Sequence, residues 1–235
     1  KTPFLSFYAF LLVVSISWSQ TRYTIDVELD VENQSLIVSQ TITFQNPSEQ
    51  SLSKMYLSDR GNSYQGTHSP LANHLANQFN RSFYLSSKSK LGFTNIESLS
   101  CNNNKLEWSR IKGQLDLIEI TLENPLKDEE KITINLNYQI KIPDDKFTGY
   151  GINSNNRIFF RDFFISLNPF INDEWILQSN LGLRDNSNIS SNYLINWTYP
   201  ESYNLVSNLN QIDIPKSFKN GYISTLWMAS NLSSP

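Results

Sequence analysis

The residues that could hold a metal ion are few and poorly spaced. His68 and His74 are the only histidines of the chain, and no Glu lies between them. One helical turn brings positions i and i+4 onto one face, whereas a separation of six does not, so the spacing does not predict a shared zinc ion. We interpret both as exposed histidines of a loop or helix. The sequence therefore predicts no metal ligand here.

Other reactive side chains also have simple interpretations. Asp144 and Asp145, and likewise Asp173 and Glu174, are adjacent carboxylates that could form an acid–base pair or bind calcium. Neighbouring residues of a strand point to opposite faces, and both pairs lie beside turn residues. We therefore interpret both pairs as solvated carboxylates in turns. Cys101 is the single cysteine and has no neighbouring His, which indicates a packed or unreactive thiol. We predict no catalytic and no cofactor-binding residue in this chain.

The most distinctive stretch, residues 149–185, places an Arg–Asp pair inside a dense run of aromatic side chains. The charged pair could anchor a peptide carboxylate or a partner loop, or it could form a partly buried ion pair. We expect this stretch to close a β-domain and to present an exposed apolar patch to another domain. The candidate interdomain contact residues are Arg161, Asp162, Phe163, Phe164 and Trp175.

Alternating hydrophobicity predicts the strands that position this stretch. Residues 23–29 (YTIDVEL) alternate apolar and polar side chains with the period of a half-buried strand. They are expected to form an antiparallel hairpin with residues 36–46, and residues 192–198 are expected to pair with 203–209 around Pro200. The other predicted strands are residues 52–57, 93–99, 105–108, 115–122, 132–142 and 222–230. The pattern predicts a mostly β fold, an antiparallel β-sandwich or saddle.

One helix is expected to interrupt the strands. Ser69 precedes Pro70, which is a favourable N-cap followed by a favourable first helical residue. The apolar positions at helical spacing are Leu71, Leu75 and Phe79. These features predict a single inserted amphipathic helix over residues 70–83.

The N-terminus has the pattern of a secretory signal peptide. Lys1 precedes an apolar run over residues 4–14, and Ser17 and Ser19 supply small residues for cleavage after position 19. The run is shorter than the ~20 residues that a membrane span requires, although an uncleaved signal anchor is the alternative. We expect residues 1–19 to be removed, leaving no membrane span, and the protein to be secreted, periplasmic or at the cell surface.

Composition limits the remaining functions. The 235 residues carry a formal net charge of −3 with 17% charged side chains, so no basic field predicts binding to nucleic acid. No linker or repeat appears between residues 23 and 229, which predicts one β-domain over residues 20–235. The chain begins without Met and stops without a terminating element, and we expect it to be a fragment of a longer protein.

Four strand phrases, in this order, resemble the N-terminal domain of the M1-family zinc metallopeptidases, the relatives of aminopeptidase N and leukotriene A4 hydrolase. The phrases are Y-x-I-x-V-x-L-D at 23–30, I-x-F-x-N-P at 42–47, L-x-x-P-L-x-x-x-E-x-x-x-I-x-L-x-Y at 122–138 and Y-P-E-x-Y-x-L-V-x-N at 199–208. The resemblance covers nearly all of the chain after residue 19. The inserted helix resembles a variant of the family found in secreted bacterial proteins.

The resemblance implies an enzymatic function whose active-site motifs this chain does not contain. The zinc motif of the family, H-E-x-x-H, and its exopeptidase signature, G-x-M-E-N, are absent from the sequence. The zinc, its ligands and the general base are therefore expected in a catalytic domain beyond residue 235, and this chain is expected to be inactive by itself. The resemblance implies that the whole protein is an aminopeptidase whose zinc polarises the scissile carbonyl of a peptide substrate and activates water. The partner of this chain would be its own catalytic domain.

A secreted β-sandwich that binds or adheres to a ligand is the alternative function. In such a module Trp175, Trp197 and Trp227 would be exposed and would stack on the ligand. The alternation of Trp197 with Ile195 favours a position in the core instead.

Overall fold

The computed structural model describes residues 20–182 and 189–233. The signal peptide predicted for residues 1–19 and residues 183–185 of the aromatic stretch lie outside these described residues. Within the described ranges, no helix is both long and apolar enough to cross a membrane.

Strands make up most of the regular structure. In chain order they are β1 (Arg22–Asp30), β2 (Ser35–Gln45), β3 (Leu52–Ser58), β4 (Phe93–Cys101), β5 (Asn104–Lys105), β6 (Glu107–Ile111), β7 (Gln114–Leu126), β8 (Lys131–Lys141), β9 (Gly151–Ile152), β10 (Ile158–Phe159), β11 (Ser166–Leu167), β12 (Phe170–Ile171), β13 (Glu174–Trp175), β14 (Ser191–Pro200), β15 (Asn210–Gln211), β16 (Lys216–Lys219) and β17 (Tyr222–Leu232). The helices are α1 (Pro70–Asn77) and two 3-10 turns, Arg60–Tyr64 and Lys88–Lys90.

The strands form two larger sheets and two small hairpins. The larger sheet has the order β15-β17-β14-β1-β2-β8-β4-β5, with β16 beside β17, and the second has the order β11-β3-β7-β6. The pairings are antiparallel except that β1 runs parallel to β14. The strand pairs β9–β10 and β12–β13 are separate. The predicted mostly β, sandwich-like fold with one helix is confirmed.

Alternation accounts for the central strands of the larger sheet. Along β8 the residues at even positions, from Ile132 to Ile140, are buried, and the residues between them are more exposed. β1 and β2 form the predicted hairpin, in which Tyr23 lies opposite Ile42 and Leu29 opposite Leu36. One apolar face of each strand therefore packs into a common core.

Two strand predictions are wrong. Residues 203–209 form no strand beside β14, because β14 already pairs with β1 on one edge and with β17 on the other. Residues 105–108 are not one strand either, since β5 joins the larger sheet while β6 joins the second. Leu106, at the change of sheet, is buried between them. Local alternation does not reveal which edges remain open for pairing.

The inserted helix is shorter than predicted. Ser69 caps it as expected, and its side chain accepts a hydrogen bond from the backbone N–H of Ala72. The helix ends at Asn77 because Phe79 has a left-handed backbone, with φ at +62°. The N–H groups of Phe79 and Asn80 then bond to carbonyls within the last helical turn, which is the Schellman pattern. The ring of Phe79 is 94% exposed, so it is not part of the apolar helix face.

Replacing Phe79 with glycine is expected to raise the free energy of unfolding by roughly 0.5–1 kcal/mol, because glycine adopts the left-handed region without a Cβ penalty. Chemical denaturation monitored by circular dichroism measures this change. Phe79→Ala is the matched control, since it removes the exposed ring but keeps the Cβ. An equal gain in both variants would show that the ring, and not the backbone, is unfavourable at this position.

Candidate interdomain surface

The aromatic run of residues 159–164 divides into buried and exposed side chains. Phe163 packs against Trp197, with ring centroids 4.9 Å apart, and Phe164 packs against Tyr23 at 5.4 Å. Both phenylalanines are buried in the core of this domain. Phe159, by contrast, is 50% exposed. Phe163 and Phe164 therefore pack the segment against the core, and neither ring is exposed at the surface.

Hydrogen bonds fix the backbone that follows these rings. The hydroxyl of Tyr138 donates to the side-chain oxygen of Gln40 and accepts from the backbone N–H of Ile165 at 3.1 Å. The side-chain amide of Gln40 donates to the carbonyl of Ile165 at 2.6 Å. Burial raises the pKa of Tyr138 well above its usual range, so its hydroxyl stays protonated. This closed network in the core sets the position of the whole segment.

The predicted Arg–Asp pair is not an ion pair between neighbours. Asp162 is buried and contacts the guanidinium of Arg60, with 2.9 Å between the carboxylate oxygen and Nη1, whereas the side chain of Arg161 is exposed. The left-handed backbone of Asp162, with φ at +48°, turns consecutive side chains to opposite sides. Asp162 thus forms a buried ion pair, but with Arg60 and not with Arg161. The side chain of Arg161 lies at the surface.

Sequence reasoning missed Arg60, which lies in the polar stretch that precedes the inserted helix. The 3-10 turn Arg60–Tyr64 is buried throughout and contacts β4, β7, β8 and α1. Asp59 precedes it, accepts from the hydroxyl of Thr94 at 2.6 Å and pairs with Arg110 at 2.8 Å. Burial raises the pKa of Asp59, and the charge of Arg110 opposes that rise. No periodicity marks this turn, so only the long-range partners could have revealed it.

An open groove lies beside the exposed half of the aromatic run. It has a volume of about 860 Å³, and an apolar part of its lining comes from Phe159, Phe160, Trp197, Leu205 and Val206. Val206 is 84% exposed, and Phe159 is half exposed. We refer to this feature as the aromatic groove. Of the aromatic run, Phe159 and Phe160 line this groove and Phe163 and Phe164 do not.

Trp175 lies in a different place from the groove lining. It belongs to the hairpin β12–β13, is half-buried and packs against Phe170 at 4.9 Å and Phe44 at 5.9 Å. Asn172 and Asp173 form the turn of this hairpin, and both have positive φ. The structure therefore brings Asp162, Phe163 and Phe164 together in the core and leaves Arg161 and Trp175 nearer the surface. Whether a second domain contacts them stays a prediction.

The described residues do not fit a zinc ion. Residues 20–182 and 189–233 contain no group of three or more His, Cys, Asp or Glu side chains arranged to hold a metal. The Nε2 atom of His74 lies 3.0 Å from the side-chain nitrogen of Gln78, within the same helical end. Asp144 pairs with Lys90 at 3.0 Å. No step of a zinc mechanism can be assigned to these side chains.

The fold is similar to that of solved zinc metallopeptidases. A two-domain M1 zinc metallopeptidase, a mutant bound to L-tryptophan, matches with a TM-score of 0.51 and 12% identity, over 89% of this chain and 39% of that one. An M1 zinc metallopeptidase mutant from Deinococcus radiodurans, bound to a Tyr-Ser-Ala substrate, has a TM-score of 0.49 and 12% identity over the same shares of the two chains. This chain matches the N-terminal part of such proteins.

The similarity is one of fold. A comparison of the sequence with known protein families and with curated proteins finds no match. The chain spans only 39% of the length of the first two similar structures.

Asp116, beside the turn that carries Arg60, is a fully buried carboxylate. Its Oδ2 accepts from the backbone N–H of Asn180 at 2.5 Å. Burial raises the pKa of Asp116 above its ordinary value of 3.8. The folded protein therefore holds the proton more tightly than the unfolded chain. The contribution of Asp116 to stability decreases as the pH rises through the interval above 3.8.

Replacing Asp116 with asparagine is expected to raise the free energy of unfolding at pH 7 by about 1 kcal/mol, because asparagine keeps the acceptor but cannot ionise. Urea denaturation between pH 4 and pH 8 measures the change, which should shrink toward the acid end. Asp128→Asn, in an exposed turn, is the control and should alter neither the stability nor its pH dependence. A loss of stability at pH 7 in Asp116→Asn would mean that the buried charge is favourable.

Proposed function

We propose that this chain is the non-catalytic N-terminal β-domain of an M1-like zinc metallopeptidase, an aminopeptidase, and that it packs on the catalytic domain and walls the substrate cleft. The observation that carries the proposal is the fold match, in which 89% of this chain corresponds to 39% of a two-domain enzyme. Such coverage is expected when one domain of a larger enzyme is compared with the whole. The order of the strand phrases supports the same assignment.

The aromatic groove supplies the surface for this packing. Interfaces between domains have an apolar centre with a polar rim, and large exposed side chains that fill a partner's pocket carry most of the binding energy. Phe159 and Val206 provide exposed apolar groups, and Arg157 and Asn204 supply polar groups in the same lining. In this proposal the zinc, its ligands and the peptide substrate belong to the catalytic domain, and this domain contributes position and shape.

The first experiment asks whether the chain acts alone. Purified chain is expected to hydrolyse no aminoacyl-p-nitroanilide substrate and to retain no stoichiometric zinc after dialysis. The coding sequence that follows residue 235 is expected to contain H-E-x-x-H in a helical pattern. A stop codon at that point, or a further β-module without this motif, would overturn the proposal. Metal-dependent hydrolysis by the chain alone would overturn its non-catalytic role.

The second experiment tests the groove. Phe159→Asp and Val206→Asp are expected to weaken association with the separately produced catalytic domain by about tenfold or more, since each places a charge in an apolar contact. Calorimetry measures the affinity. Ile214→Asp is the matched control, because Ile214 is 82% exposed but does not line the groove. Equal weakening by all three variants would mean that the groove is not the contact surface.

Buried tryptophans weigh against the alternative of a ligand-binding module. Trp197 and Trp227 are each 7% exposed, and the Nε1–H of Trp227 donates to Thr225 at 2.8 Å. Only Trp175 among the three is more than marginally exposed, and its ring packs on Phe170. Stacking on a ligand needs an open ring face, so this arrangement offers no tryptophan platform.

Export remains part of the proposal. The apolar run of residues 4–14 and the small residues before position 20 support secretion to the periplasm, the cell surface or the medium. Sequencing of the N-terminus of the exported protein is expected to give Gln20 as the first residue. Retention of residues 1–19 in a membrane fraction would support the signal anchor instead.

A further inference from the structure

A small cavity shares Phe159 and Phe160 with the lining of the aromatic groove. Its volume is about 160 Å³, and its lining includes Arg60, Tyr64, Tyr150, Phe159, Phe160 and Arg161. We refer to it as the arginine–tyrosine cavity. Aromatic rings form its walls, since Tyr64 stacks on Tyr150 at 5.1 Å and Phe160 packs against Tyr150 at 5.6 Å.

Two buried donors at this cavity have no partner. Arg60 uses Nη1 for the ion pair with Asp162, but its Nη2 is buried without a hydrogen-bond partner among the described residues. The hydroxyl of Tyr150 is buried and unpartnered in the same way. Both residues are more than nine-tenths buried. Buried donors in folded proteins are nearly always satisfied by protein groups or by ordered water, so two unpartnered donors on residues that line one cavity favour an acceptor at that place.

The charges around the cavity specify that acceptor. Arg60 and Arg161 both line it, and no carboxylate does so among the residues that the structure describes. Burial lowers the pKa of Arg60, the charge of Asp162 raises it, and the charge of Arg161 lowers it again, so Arg161 lies close to Arg60. Arginine keeps its charge at any physiological pH. Burial raises the pKa of Tyr150 well above its usual range, so its hydroxyl is a donor at any physiological pH. The lining therefore offers positive charge and donors together.

We propose that the arginine–tyrosine cavity binds a carboxylate carried on a small ring or short chain. Guanidinium and hydroxyl donors match a carboxylate, and the aromatic walls match an apolar body next to it. A cavity of about 150 Å³ holds a benzene ring, so this one admits a ligand of similar size. The carboxylate comes from a free small acid or from an acidic side chain on a partner. The inference uses the cavity alone and does not depend on the proposed function.

Benzoate is the first probe, with benzamide as its uncharged counterpart of the same shape. Benzoate is expected to bind the chain saturably, with a Kd in the millimolar range or tighter, and to raise its Tm. Benzamide should bind about tenfold more weakly or not at all, because it lacks the charge that the arginines recognise. Calorimetry and thermal denaturation measure both. Equal binding of the two probes, or no benzoate binding up to 50 mM (roughly −2 kcal/mol in affinity), would overturn the proposal.

Variants then locate the site. Tyr150→Phe removes one orphan donor without changing the ring, and Arg161→Gln removes the charge at the surface. Each is expected to weaken benzoate binding by about tenfold. Arg81→Gln is the matched control, because Arg81 is exposed and lines neither the cavity nor the aromatic groove. Unchanged affinity in both Tyr150→Phe and Arg161→Gln would place benzoate elsewhere and overturn the proposal.

Two further arms identify the source of the carboxylate. A peptide with blocked termini and a single glutamate carries the group on a side chain, whereas benzoate carries it as a free acid. Tighter binding of the peptide assigns the cavity to a partner's acidic side chain, and tighter binding of benzoate assigns it to a small acid. Both results support the proposal that the cavity binds a carboxylate. A crystal of the chain soaked in benzoate that shows only water in the cavity would contradict it.

Discussion

Replacing Arg60 with methionine is expected to lower the free energy of unfolding by about 3–5 kcal/mol, because the buried Asp162 carboxylate would lose its ion pair with the guanidinium. The two side chains are 10% and 3% exposed, and their charged atoms lie 2.9 Å apart. Chemical denaturation at pH 7 measures the loss.

A second variant separates the effect of the buried charge on stability from the effect of packing. Arg60→Met combined with Asp162→Asn removes both charges, and asparagine tolerates the positive φ at position 162. The double variant is expected to recover more than half of the loss. Lys54→Met breaks an ion pair whose partners are 48% and 27% exposed, and it should cost far less than Arg60→Met, because solvent screens an exposed pair. A double variant as unstable as Arg60→Met would show that the arginine stem, and not its charge, stabilises the fold.

The sequence predicts those parts of the fold that depend on neighbouring residues. In β8 the alternation from Ile132 to Ile140 is a local signal, because successive strand residues point to opposite faces. The cap at Ser69 is likewise visible from a few positions, since its partner is the N–H of Ala72. The mostly β fold could therefore be predicted without knowing which strands pair.

Features set by distant parts of the chain could not be predicted in this way. Arg60 and Asp162 are separated by more than a hundred positions, and the pattern around Arg60 is that of a polar loop. The parallel pairing of β1 with β14 also joins distant segments and leaves no edge for residues 203–209. The end of α1 depends on the backbone at Phe79, where an aromatic residue stands in a position that usually favours glycine.

The same limit applies to the candidate interdomain surface. Composition indicates that the aromatic run does something other than form a regular strand, but it does not separate the rings that face the core from those that face solvent. The left-handed turn at Asp162 lies between the half-exposed Phe159 and the buried Phe163 and Phe164, whereas Phe160 before the turn is already partly buried against the core. The segment thus packs Phe163 and Phe164 into the core after the turn and leaves Phe159 half exposed before it.

This division predicts opposite results for two phenylalanines four positions apart. Phe163→Ala is expected to lower the free energy of unfolding by about 3–5 kcal/mol, since it opens a cavity among Trp197, Phe164 and Phe160. Phe159→Ala should cost less than about 1 kcal/mol, because half of its ring is already in solvent. Chemical denaturation measures both, and Phe163→Leu keeps the comparison possible if the alanine variant does not fold.

Binding should show the reverse order. Phe159→Ala is expected to fold normally but to weaken association with the catalytic domain, since its ring lines the aromatic groove. Phe163→Leu should leave that association unchanged at temperatures where it is folded, because the side chain has no free face. If Phe163→Leu weakened binding as much as Phe159→Ala, the segment would be acting as one unit, and the turn at Asp162 would not separate anchoring from contact.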